Sequence, residues 1–225
     1  MQISFPDESA VLMIGSPGIG MLEFCVALTE GYLEKDDAII FVAMDTSPSD
    51  VIAMMRTFGL PMDELLGKRV FFLDYHSCLL GTTMDRTTVV DGVRTISDLE
   101  GIMFNIAAIA EETGSRVRIF FHSLSTLFLY NQANVVLKFF QITCSRIRSQ
   151  YGTAIVAVHE GVHDERTVNH LMAIADGTIE LRFDDDLNKM MRIRNMRGYP
   201  TSPNWIPFEI KNLSKNEDVR LLEWI

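Results

Sequence analysis

Along the chain, short and nearly continuous apolar runs alternate with longer stretches in which apolar positions recur every three or four residues. The runs Ala10–Ile14, Ala38–Ala43, Arg69–Leu73, Val117–Phe121 and Thr153–Val158 are five or six residues long. Their lack of polar alternation is the pattern of strands covered on both faces. Helical periodicity fills the intervals. It predicts Met21–Glu34, then Pro48–Phe58 with Ser47 as N-cap and Pro48 in the first turn. A third helix is expected from the Ser97/Glu100 capping pair to about Thr113, ahead of Gly114, and a fourth over Asn134–Gln150. Strand–helix alternation of this kind builds a parallel sheet with right-handed crossovers. Past residue 174 the pattern changes. Gly177–Phe183 and Lys189–Asn195 flank the acidic run Asp184–Asn188 and read as an antiparallel hairpin, followed by short strands at Pro207–Ile210 and Val219–Trp224. Residues 75–96 read as one long polar connection.

The expected fold is therefore α/β, with three layers, a mostly parallel central sheet and a C-terminal antiparallel hairpin. The 225 residues form one domain, with a core over 10–160 and an extension over 174–225. Hydrophobic residues make up 48% of the chain, enough for a full core, yet no run approaches the roughly 20 residues a bilayer requires. The opening residues lack signal-peptide grammar. Cys25, Cys78 and Cys144 are scattered in apolar surroundings, as reduced core thiols of a cytoplasmic protein would be. A formal charge of −10 argues against nucleic acid, whose phosphates need a basic face; the local groups Arg146/Arg148 and Arg192/Arg194/Arg197 leave room only for a small basic site.

The chemistry concentrates in Gly15-Ser16-Pro17-Gly18-Ile19-Gly20-Met21-Leu22, a glycine-rich turn between a buried strand and a helix. Such a turn points backbone N–H groups at an anion beside a helix N-terminus, so Gly15, Ser16, Gly18, Ile19 and Gly20 are the candidate nucleotide-binding positions. Phosphoryl transfer in such a loop also needs a lysine and then a hydroxyl after the last glycine, for the terminal phosphates and for magnesium. Met21 and Leu22 supply neither. Glu23 follows, and a carboxylate turned toward a polyphosphate would repel it. The alternative reading is a turn kept for packing.

This segment resembles the phosphate loop of the KaiC branch of RecA-like ATPases, usually Gly-x-Pro-Gly-Thr-Gly-Lys-Thr. The resemblance runs from Ala10 to about Ile210. Phe41-Val-Ala-Met-Asp45-Thr46-Ser47-Pro48 looks like the family's second strand, where two glutamates precede a proline and the first activates water. Asp45 and Thr46 stand at those positions. Val117-Arg-Ile-Phe-Phe-His122-Ser123-Leu124 looks like the Walker B strand, with His122 in place of the magnesium-binding aspartate. Asn195-Met196-Arg197-Gly198 and Pro207-Phe208-Glu209-Ile210 resemble the family's Lys-Met-Arg-Gly and Pro-Phe-Glu-Ile. The resemblance implies that Arg197 could reach a neighbouring subunit's ATP, while the companion lysine has become Asn195. It thus implies a pseudo-ATPase, with Met21, Leu22, Asp45, Thr46 and His122 as vestigial catalytic positions. No cofactor is required, and ATP with magnesium belongs to the alternative of a nucleotide sensor or slow ATPase. The implied partners are a homo-oligomer or an active KaiC-like paralogue. A RecA-type DNA-associated role follows from fold analogy alone.

His159-Glu160-Gly161-Val162-His163 matches the zinc-protease pattern His-Glu-x-x-His, but Gly161 interrupts the helix that pattern needs, so a loop at a strand's end is expected and no metal. His122, His159 and His163 could nonetheless meet at that edge. Met54, Met55, Met190 and Met191 read as core or interface filler, and Trp205 and Trp224 as candidate contact anchors.

Overall fold

A computed structural model of the chain describes residues 5–81 and 91–210. The five apolar runs are strands; the second matches its expected bounds, and the others are longer by a residue or two or displaced by one. They are β1 (Ser9–Gly15), β2 (Ala38–Ala43), β3 (Val70–Asp74), β5 (Val117–His122) and β6 (Gly152–His159). The short edge strand β4 (Val93–Thr95) lies within the stretch expected to be one polar connection, as does the one-turn helix α4 (His76–Leu79). The hairpin is β7 (Gly177–Phe183) and β8 (Lys189–Met196), closed by β9 (Ile206–Pro207). The last strand stops short of Ile210, and the strand expected over Val219–Trp224, with Trp224, lies outside the described residues.

One nine-stranded sheet runs in the order β4-β3-β2-β5-β6-β1-β7-β8-β9. From β4 to β7 every pairing is parallel, and β8 and β9 are antiparallel additions. This is the expected α/β architecture. Helices cover both faces, which is why the central strands carry no polar alternation. On one face lie α1 (Met21–Leu33) and α2 (Pro48–Thr57), with the one-turn α3 (Met62–Leu65). They bury Phe24, Val51 and Met55 against Phe41, Phe72 and Phe120 of the sheet. The other face is covered by α5 (Leu99–Thr113), α6 (Leu124–Tyr130), α7 (Ala133–Arg146) and α8 (Glu165–Ile174), around Ile40, Leu73 and Phe121.

Local chemistry sets the helix ends. Ser47 caps α2 as expected, accepting from the Asp50 N–H, and Pro48 occupies its first turn. The cap of α5 is Asp98 rather than Ser97: its carboxylate accepts from the Gly101 N–H at 2.6 Å, a stronger acceptor than a hydroxyl. Gly114 ends that helix in the left-handed region. Helix α7 closes through a turn of π geometry over Ile147–Tyr151 instead of running straight to Gln150. The acidic turn is a closed loop, in which Asp184 accepts from the Asp186 and Asn188 N–H groups. Of the three thiols Cys25 and Cys144 are buried, whereas Cys78 is half-buried and points at the Ser97 carbonyl. No described helix is long and apolar enough to cross a membrane.

Candidate functional site

Parallel strands deliver their C-terminal residues to one edge of the sheet, where open α/β sheets place ligands. The registers Gly15↔His159 and Ala43↔His122 bring the glycine turn, the residues after β2 and both histidines to that carboxyl-end edge. Asp74, at the end of β3, is fully buried and accepts from the Ser77 N–H and hydroxyl, so it is spent on the start of α4.

The turn itself is largely committed to the protein. The Ser16 N–H donates to the Leu181 carbonyl at 3.0 Å, and the Ile19 N–H to the Ser16 carbonyl at 3.1 Å. The Ser16 hydroxyl bonds the Glu160 carboxylate. Gly18 and Gly20 adopt φ of 78° and 92°, conformations that glycine alone takes without strain. Most telling is Met21. Its thioether folds back over the turn, so that a Cβ placed on Gly15 would collide with Met21 Sδ and Cγ. Ile19, Met21 and Leu22 are all buried and belong to the α1-side core. Glu23 is turned toward the loop, its Oε2 3.3 Å from the point a Gly20 Cβ would occupy. At 3.1 Å from the same point lies Lys189 Nζ, brought in by the hairpin. That cation escaped the sequence reading because nothing near residue 189 marks it. Only the pairing of β8 beside β7, and of β7 beside β1, sets it there.

The positions matching the family's base and magnesium residues meet each other. Asp45 Oδ1 lies 2.7 Å from His122 Nδ1, and Asp45 Oδ2 lies 3.5 Å from His159 Nε2. A carboxylate can only accept, so both imidazoles donate to it. Burial opposes ionisation of Asp45, yet the hydrogen bonds from His122 and then His159 outweigh it and hold the carboxyl well below the usual range. The two rings stand edge to face, centroids 6.3 Å apart. Thr46 is half-buried, its hydroxyl 3.5 Å from Asp45 Oδ1. His163 does not join them. It bonds the Ser125 hydroxyl through Nε2 at 2.8 Å, and burial followed by the neighbouring His159 lowers its pKa. His159 ends β6 and His163 precedes α8, so no one helix carries both, as the interruption at Gly161 implied. Among the described residues no three or more His, Cys, Asp or Glu side chains converge as a metal-binding group.

Met21 thus stands where the resemblance expects the loop lysine, and His122, where it expects the magnesium aspartate, is hydrogen-bonded to Asp45.

Arg197 sits at the opposite, amino-end edge. It follows β8, which starts beside Gly20 and whose eight residues cover about 25 Å at strand rise. There Arg197 and Arg148 converge on Asp176, each at 2.8 Å, and Asp176 also accepts from the Ala10 N–H. Asn195, before it, pairs in register with Thr178. Arg192 and Arg194 share Glu180, so the arginine groups of the sequence are mostly matched by carboxylates. Trp205 packs against the Arg182 and Arg192 guanidinium groups, 3.8 and 4.4 Å from its ring centre.

The family model described as "ATPase: KaiC" matches residues 2–215. Among curated proteins, a UPF0273 protein of Pyrobaculum aerophilum is 27% identical over 216 residues, covering 92% of this chain and 74% of its own. One from Thermotoga maritima is 27% identical over 214 residues, covering 91% and 85%. Another, from Methanocaldococcus jannaschii, is 26% identical over 217 residues, covering 92% and 86%.

Proposed function

The chain belongs to the KaiC family of ATPases, and from that premise we propose that it serves as a non-hydrolysing, regulatory or structural subunit that works by binding protein. The observation carrying this reading is Met21 packed over Gly15 in the space the phosphate loop would offer. Phosphoryl transfer is positioning plus electrostatic stabilisation, so a loop without lysine or hydroxyl, facing Glu23, has little left to catalyse with. His122, bonded to Asp45, removes the magnesium carboxylate and engages the remaining base together.

The partner is a second copy of the chain or an active KaiC-like paralogue. Arg197 supports this: its side chain is 60% exposed and lies at the edge remote from its own glycine turn, so it is available to a neighbour's nucleotide and not to its own. A second reading, a nucleotide sensor, draws support from Lys189 beside Gly20, a cation that partly replaces the missing one. Calorimetric titration of the full chain with ATP, with and without magnesium, separates the two. The non-hydrolysing binder gives no saturable heat at millimolar ATP and no thermal shift. Micromolar, magnesium-dependent affinity would overturn it in favour of the sensor and call for a direct hydrolysis assay.

A further inference from the structure

Helices α5 and α7 lie side by side on one face of the sheet, where the Thr143 hydroxyl meets Met103 Sδ at 3.4 Å. Each leads from the carboxyl-end edge back to the start of the next parallel strand, so the two run in the same direction. Residues three, four or seven apart share one side of a helix. On α5 the outward stripe is Glu100, Phe104 and Glu111, and on α7 it is Val135, Lys138, Ile142 and Arg146. All of them are exposed, Phe104 by 72%. Large apolar side chains gathered in open water mark contact surfaces.

The two stripes are opposite in charge. Glu100 and Glu111 stand on one, Lys138 and Arg146 on the other, and none of the four has an ion pair among the described residues. The nearby Glu112 and Arg148 are already matched, by Arg94 and Asp176. Two copies of such a face can meet about a two-fold axis in their common plane in two ways. An axis across the helices sets α5 on α5 and α7 on α7, like charge against like. An axis along the helices sets each α5 on the partner's α7, acid against base.

Rotation about the second axis leaves height along the helices unchanged. The Met103–Thr143 contact within one chain therefore sets the register between two. A slip of two residues, about 3 Å, brings Glu100 opposite the partner's Lys138 and Phe104 opposite the partner's Ile142 together, because both pairs are four residues apart. The partner's Arg146 then lies about 4.5 Å along the axis from Glu111, within the span of two long side chains.

We propose that α5 and α7 form the contact surface for a second copy of this chain, in a two-fold dimer whose axis runs along the helices. Phe104 packs on the partner's Ile142, and Glu100 pairs with the partner's Lys138. This rests on the reading that the chain works by binding protein, and it uses neither the glycine turn nor Arg197. Two helices about 22 Å long and about 10 Å apart offer about 450 Å² in plan, small beside the roughly 800 Å² per partner of a standard interface, so the pair is weak and reversible.

Sedimentation equilibrium of the full chain, from micromolar to submillimolar concentration, reads the association. A monomer–dimer equilibrium that salt weakens is expected. Glu100→Lys and Lys138→Glu each create two like-charge contacts in the dimer and should weaken it at least about tenfold. Both positions are exposed, so thermal unfolding should change little. An equimolar mixture of the two variants restores both contacts and should associate like the parent, whereas a folding defect is not repaired by mixing. Phe104→Ala should weaken the dimer by a similar factor with every charge in place. A chain that stays monomeric at submillimolar concentration overturns the proposal and leaves the face to a protein of another sequence. An assembly indifferent to Glu100→Lys overturns it too, as does a mixture that stays monomeric. Micromolar nucleotide binding would instead overturn the non-hydrolysing role and leave this dimer standing.

Discussion

The two edges of the sheet hold polar side chains for different ends. At the carboxyl-end edge, polar groups of the strand ends and the glycine turn meet one another. Asp45 joins His122 and His159, the Ser16 hydroxyl meets Glu160, and Met21 covers Gly15. At the amino-end edge, buried charge is concentrated instead: Arg118 with Asp37 and Asp7, and Arg148 with Arg197 around Asp176. An ion pair out of water is tolerated only when each partner stays matched, so that edge is fixed by charge geometry. The first edge is fixed by apolar filling and by hydrogen bonds to the Asp45 and Glu160 carboxylates. The buried ionic bonds thus lie at the opposite end of the sheet from the glycine turn, so changes at the turn leave them untouched.

The largest expected effect tests the charged edge. Asp37→Ala leaves the Arg118 guanidinium, only 4% exposed, with half-exposed Asp7 as its remaining carboxylate. A loss of about 3 kcal/mol in urea denaturation is expected, the low end for breaking a buried pair because Asp7 stays. A loss under 1 kcal/mol would mean that water or Asp7 alone suffices, and the contrast between edges would fall. Next comes Asp45→Asn, which should cost about 1.5–3 kcal/mol at neutral pH, the range for hydrogen bonds to a charged group. The sign with pH follows from a depressed carboxyl. Its stabilisation is fully present above the unfolded value of about 3.9 and is lost as pH falls through the lower folded value, so the gap between parent and variant should close in acid. A gap that is constant down to pH 2 would assign the effect to shape rather than charge. The smallest stability effect belongs to Arg197→Ala. Its exposed bridge to Asp176 is worth under about 0.5 kcal/mol after solvent screening, yet mixed with an active partner the variant should lower partner turnover. Unchanged turnover would remove the role of Arg197 in trans.

Much of the fold was legible because parallel strands buried on both faces write themselves as apolar runs, and the hairpin as two such runs around an acidic turn. Helices α6 and α8 were not read. The first, Leu-Ser-Thr-Leu-Phe-Leu-Tyr, is too short and too apolar to show a helical period, and its Leu129 and Tyr130 remain exposed. The second begins at its cap Asp164, directly after a stretch dominated by the His159–His163 pattern. At the site, the departures of Met21, Leu22 and His122 from the pattern the sequence resembles were plain from spacing. What those positions meet was not. The bond from His122 to Asp45 joins residues 77 positions apart, and Lys189 arrives through the hairpin. Local sequence records which residue a position carries, while tertiary pairing decides what it meets.

Met21 and Leu22 also limit what the turn can tolerate. Both are buried members of the core cluster, so they contribute to packing. A lysine at residue 21 would place an ammonium group in a packed apolar site. The turn is thus a keystone of the hydrophobic interior as well as a loop at its rim, and charge introduced there is opposed by stability first.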